Sequence, residues 1–221
     1  MSGTATRGQS GFALLELVAV LATLAVLAAL LAAAVDRARA SGQRAACASN
    51  LRQLFLANAA YATEHGSYAP AAPDLLGANR VRWHGARAGR SSPFDGRLGP
   101  LAPYLENEIV RRCPAFAPAP GGFEAACGGY GYNIRGVGSR VYLEGFSTQA
   151  MAGGMSPGAI REPAGTVMFC DAAFAQPYDQ PDHLIEYSFA EAYYFVDGRP
   201  PRETGVATPS IHFRHSGRAN V

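Results

Sequence analysis

The sequence lacks most of what nucleotide- and metal-dependent enzymes need. It holds no P-loop, no H-E-x-x-H and no G-x-G-x-x-G opening a helix after a strand. The spacings that cradle phosphates or hold a catalytic zinc are therefore missing. Gly128-Gly129-Tyr130-Gly131 reads as a tight turn before a strand, not as a phosphate cradle. The formal net charge is only +2, which gives no electrostatic case for a nucleic-acid partner. No internal repeat and no stretch biased enough for disorder is evident. None of the four cysteines forms a C-x-x-C pair, so no zinc site is expected. No cofactor is expected either. The longest absence is of charge: from Phe12 to Val35 the one charged residue is Glu16.

That apolar run is about 24 residues, and at a rise of roughly 1.5 Å per residue it spans about 36 Å as a helix. A bilayer core is about 30 Å thick, so the segment is long enough to cross it. A carboxylate near the centre of such a span costs roughly 2.5–3.5 kcal/mol, and less near an end. A residue kept at that cost calls for a partner or a task. Two plainer readings exist. A secretory signal peptide has a shorter apolar core of about 7–15 residues, although Ala32-Ala33-Ala34 imitates its cleavage site. A simple membrane anchor would suffice for the length. Neither accounts for Glu16 just behind a Gly–Phe junction.

Gly11, Phe12, Ala13-Leu14-Leu15, Glu16 and the apolar run beyond resemble the N-terminal signal of type IV prepilins and type II secretion pseudopilins. The resemblance implies cleavage after Gly11 by an inner-membrane prepilin peptidase, with N-methylation of Phe12. It also implies that Glu16 pairs with the new amine of a neighbouring subunit. Opposite charges in a low-dielectric helix bundle neutralise each other and fix axial register. The implied partners are the peptidase, other pilin or pseudopilin subunits, and the inner membrane. The implied location is a single inner-membrane pass with the C-terminal domain in the periplasm, in a periplasmic filament or at the cell surface. The flanking charges argue the other way. Arg7 precedes the run whereas Arg37, Arg39 and Arg44 follow it, which by the positive-inside rule alone puts the C-terminal part in the cytoplasm. The leader signal is taken to prevail.

The helix is expected to continue past the membrane, to about Glu64. From Asp36 to Tyr61 there is no proline, and Ala48, Leu51, Leu54, Phe55 and Tyr61 recur at three- and four-residue spacing, the pattern of one apolar face. Many relatives carry a proline where Ala33 stands, so this helix is expected to be straighter. Cys47-Ala48-Ser49-Asn50-Leu51-Arg52-Gln53-Leu54, then Tyr61 and Gly66-Ser67-Tyr68-Ala69-Pro70, resemble a large pseudopilin-like group common in planctomycetes and verrucomicrobia. Further matches are Arg112-Cys113-Pro114, Tyr130-Gly131-Tyr132-Asn133, Glu162 to Phe169, and Arg214-His215-Ser216-Gly217-Arg218-Ala219-Asn220-Val221. In that group the last motif runs on through a strand to an Asp-Gly pair. Here the sequence stops at Val221, and either truncation or loss of that strand is expected.

The expected fold is α+β and pilin-like: a long N-terminal helix, half membrane-spanning and half amphipathic, packed on a small antiparallel sheet. The expected divisions are a leader over 1–11, a spanning half over 12–35, an amphipathic half over 36–65, and a loop-rich domain over 66–221. Gly66 to Pro73 is the turn off the helix. Val81-Arg82-Trp83-His84, Tyr130 to Ile134, Thr166 to Asp171, Tyr193 to Val196 and Ile211 to Arg214 are strand candidates by β-branched and aromatic content. Leu98 to Glu106 is expected to form helical turns around Pro100 and Pro103. Between Phe174 and Arg202 a hairpin and an irregular loop compete.

Cys113 and Cys127 bracket a Pro/Gly-rich loop. A disulfide there would close about 15 residues and contribute roughly 3 kcal/mol, against the alternative that no bond forms. Cys47 and Cys170 are expected to be buried free thiols. Asp179, Asp182, Glu186 and Glu191 offer oxygens to a hard cation such as calcium, but without EF-hand spacing, so a solvated acidic loop is the expected outcome. His212 and His215 are three apart and would face opposite sides of a strand. Asp171 is positioned by the pattern to give a carboxylate to Arg214 or His215, in a polar network that pins the C-terminal strand. No catalytic residue is expected. Two functions remain: an assembly subunit that is not an enzyme, or a membrane-tethered periplasmic binding or carbohydrate-active domain on a pilin-type anchor.

Overall fold

The computed structural model describes residues 14–120, 122–175, 183–191 and 210–221. One helix, α1, runs unbroken over Leu14–His65. The chain divides into two compact units, Met1–Gly42 and Gln43–Val221, and α1 belongs to both.

In the first unit every described residue is exposed, and Leu14, Leu15, Leu17, Val20, Val26 and Leu30 point to all sides of the helix. A helix that is apolar all round has no polar face to give to water. It is long and apolar enough to span a membrane, and none of its apolar window is buried inside the protein.

In the second unit the same helix buries one face: Cys47, Leu51, Leu54, Ala57, Asn58 and Ala62. These positions follow the three- and four-residue spacing that keeps side chains on one side. The expected face was rotated. Leu51 and Leu54 are buried, but Ala48 is exposed and Phe55 remains 48 % exposed. Both faces carry apolar residues at helical spacing. The polar Asn58 marks the true one, since an amide is buried only where partners wait. Asn58 Nδ2 donates to the Tyr132 hydroxyl at 2.9 Å, and its Oδ1 accepts from the Ala69 amide at 2.9 Å. Gly66 ends the helix with φ of +76°, a left-handed cap open to glycine.

Among the described residues the strands form three separate two-stranded antiparallel sheets instead of one sheet. β1 (Val81–Arg82) pairs with β2 (Gly85–Ala86), so Trp83 and His84 are the turn of a hairpin and not strand residues. Trp83 is fully buried against Phe169 and Tyr132, and its Nε1 donates to the Ser188 carbonyl at 2.7 Å. β3 (Tyr130–Tyr132) pairs with β4 (Phe169–Asp171). Tyr130 and Tyr132 lie two apart, hence on one face, and both hydroxyls meet α1: Asn50 Nδ2 donates to Tyr130 at 3.0 Å, as Asn58 does to Tyr132. Gly131 lies between them because a Cβ there would meet the Phe189 carbonyl oxygen at 2.5 Å. β5 (Phe174–Ala175) pairs with β6 (Leu184–Ile185), as the hairpin reading expects, while 176–182 and 192–202 lie outside the described residues. Short 3₁₀ turns at Gly96–Leu98, Ala102–Tyr104 and Glu106–Glu108 occupy the Pro100–Pro103 region as expected. Ile211 makes a single bridge to Ala172 and starts no strand. The expected strand Tyr193 to Val196 lies outside the described residues.

The cysteine pairing differs from expectation. Cys113 is bonded to Cys47, with their Cα atoms 4.9 Å apart, while Cys127 and Cys170 are free and buried. Cys47 lies on the buried face of α1, where the segment carrying Cys113 packs. The bond therefore ties the helix to the domain instead of closing the short loop.

Candidate functional site

Glu16 occupies the first turn of α1, where a carboxylate is favoured by the positive end of the helix dipole. It is the one charged side chain from Leu14 to Val35 and is exposed, among exposed leucines and valines. Gly11 and Phe12, the expected cleavage residues, lie outside the described residues.

A second site gathers around the disulfide. Asp171 ends β4, and its Oδ2 accepts the Asn220 amide at 2.7 Å and lies 3.3 Å from His215 Nε2. The Asp171 amide in turn donates to the Asn220 carbonyl at 3.0 Å. The expected link from Asp171 to the C-terminal motif is therefore present, with His215 as the direct partner. Arg214 points elsewhere: its Nη2 donates to the Gly129 carbonyl at 3.1 Å, and its guanidinium lies 4.0 Å from the centre of the Phe116 ring. Burial pushes the Asp171 carboxyl up and the His215 imidazole down. His215 Nε2 is also 3.8 Å from Cys113 Sγ. Cys47, Cys113, Asp171 and His215 each bring one ligand-type atom within 4.8 Å of the others, and all four residues are buried. His212 is not in this group. Burial, then the charges of Arg214 and His215, hold its imidazole down at about 4.

A third cluster went unread in the sequence. Glu124 is 1 % exposed, and the Arg82 guanidinium grips it from Nε and from Nη2, the latter at 2.8 Å. The Ser188 hydroxyl donates to the same carboxylate at 2.6 Å. Burial pushes Glu124 up, but His84 and Arg82 more than reverse it, to about 2. Arg82 is the stronger influence, since His84 Nε2 stands 3.9 Å off, beyond hydrogen-bond distance. Arg82 and Glu124 lie 42 residues apart in the chain, a separation no local pattern signals. Their burial means that removing either partner would leave an unpaired charge in the interior.

The acidic run proves not to be a solvated loop where it is described. Glu186 accepts the Ala126 amide at 2.6 Å, and Glu191 accepts the Tyr187 hydroxyl at 2.6 Å, with both carboxylates buried. Asp179 and Asp182 lie outside the described residues. Gly154-Met155-Ser156-Pro157-Gly158 has the letters of a nucleophile elbow. It joins no strand to a helix, however: Ser156 is exposed and precedes a 3₁₀ turn.

A groove of about 720 Å³ runs along α1, lined by Leu51, Phe55, Tyr68, Ile160, Val167 and Phe169, with Arg52 the one charged side chain on its wall. Its lining is mainly apolar. No protein family, no curated protein and no solved structure matches this chain.

Proposed function

We propose that the chain is a pseudopilin-like structural subunit, cleaved after Gly11 and assembled through α1 into a type II secretion or type IV pilus-like filament. One observation carries the reading: the front of α1 is apolar and exposed on every side, with a single carboxylate in its first turn. A bilayer covers such a surface, and so does a bundle of like helices. The carboxylate favours the bundle as the final state, because a neighbour's freed amine would neutralise it. The Cys47–Cys113 bond supports a periplasmic domain, since disulfides persist in oxidising compartments. It weighs against the orientation that the flanking arginines alone would give.

Glu16→Ala tests the reading. Cleavage after Gly11 is expected to proceed while self-association in the membrane, read by cross-linking, is lost. If the protein is merely tethered as a binding module, Glu16→Ala leaves cross-linking unchanged. A C-terminal reporter active only in the periplasm checks the orientation, and a cytoplasmic signal would contradict it.

A further inference from the structure

The group around the disulfide has the composition of a metal centre. Its members come from four places in the chain: α1, the Cys113 segment, the end of β4 and the C-terminal turn. That dispersal is why no C-x-x-C spacing announces it. Tetrahedral zinc holds sulfur at about 2.3 Å and nitrogen or oxygen at about 2.0–2.2 Å, which sets its ligand atoms about 3.3–3.8 Å apart. His215 Nε2 is 3.3 Å from Asp171 Oδ2, the spacing of a nitrogen and an oxygen on such an ion, and 3.8 Å from Cys113 Sγ, about 0.3 Å beyond the nitrogen–sulfur spacing. The Asn220 amide already orients the Asp171 carboxylate through Oδ2, as outer partners orient metal ligands. Its Oδ1 is buried without a hydrogen-bond partner among the described residues. Charge also fits. Two thiolates, a carboxylate and a dication leave one negative charge. Arg214, whose Nε and Nη1 are buried without hydrogen-bond partners among the described residues, supplies the compensating cation. His215 sits in a surface turn closed by its own bonds with Arg218. Opening of that turn gives an ion a way in.

We propose that the reduced chain binds one zinc ion through Cys47, Cys113, Asp171 and His215. The disulfide and the metal are then alternative closures of the same junction between α1 and the domain. This site is independent of the assembly reading. A phosphine reductant opens the bond: the phosphine takes oxygen from water to become phosphine oxide, and the two sulfurs become thiols. Zinc binding then releases both thiol protons to solvent.

The test uses the untagged full chain in detergent, oxidised or phosphine-reduced without air, titrated with cobalt(II) and then zinc. The reduced chain is expected to take one cobalt. Its spectrum should show thiolate-to-metal charge transfer and the intense visible bands of a tetrahedral ion, lost when zinc displaces cobalt. The oxidised chain is expected to show neither. His215→Ala is expected to weaken cobalt binding more than about a hundredfold, beyond the 10–100-fold of a lost outer-shell partner. Asp171→Asn, which keeps the shape, should weaken it at least about tenfold. Near-ultraviolet circular dichroism of each oxidised variant checks its packing. A reduced wild-type chain without the charge-transfer band overturns the proposal. So does equal binding by the oxidised chain, or unchanged affinity in a His215→Ala chain that packs normally.

Discussion

Leu27 and Leu54 are the same residue in the same helix, yet one is 62 % exposed and the other 2 %. Around Leu54 the domain supplies its own cover, two tyrosine hydroxyls and a disulfide. Around Leu27 the described residues supply nothing. The second half of α1 is stabilised from within, whereas the first half presents an apolar surface long enough to span a membrane and uncovered by the described residues.

The sharpest way to break the inner half is to strip the buried charge pair. Arg82→Ala leaves Glu124 buried without its guanidinium, and loss of up to about 5 kcal/mol is expected in chemical denaturation. Cys47→Ala removes a bond spanning 66 residues. By loop entropy about 4 kcal/mol should be lost, and peptide mapping of the wild type should find Cys47 joined to Cys113. The direct comparison is one substitution made twice. Leu54→Ala is expected to cost about 3 kcal/mol of domain stability. Leu24→Ala, at a position 56 % exposed, should change it by less than about 0.5 kcal/mol. Equal losses would erase the distinction between the halves.

Another effect concerns pH. His212 titrates at about 4 in the folded chain against 6.5 ordinarily. Between those values the unfolded chain binds a proton that the folded chain refuses, so its contribution is full above 6.5 and falls as pH drops through the window. His84, pushed down by burial, acts in the same sense. Asp171 and Glu191, which burial pushes up, act in the opposite one. The melting temperature is expected to fall from pH 7 to pH 4.5, and His212→Asn should flatten that fall.

What was legible in the sequence was local. An uninterrupted apolar run, a glycine stop at Gly66 and a proline-marked turn region each act over a few residues, and α1 and the 3₁₀ turns follow from them. The link from Asp171 to the C-terminal motif was legible as well, although Arg214 and His215 stood equal as its partner until the fold placed His215 there. The rotated face of α1 was not. Phe55 and Cys47 fit helical periodicity equally well, and only Tyr132, across the fold, decides between them. Cys47–Cys113 and Arg82–Glu124 were illegible for the same reason, since each joins segments that no spacing relates. The sheet was overestimated, as two- and three-residue pairings carry too few positions to alternate.

The central proposal is that the mature chain starts at a processed Phe12 and that neighbours cover the exposed front of α1. The mass of the mature N-terminus tests it most directly. The account predicts a chain that starts at Phe12 and carries an added methyl group. An intact Met1, or a cut near Ala34 that removes Glu16, would contradict it.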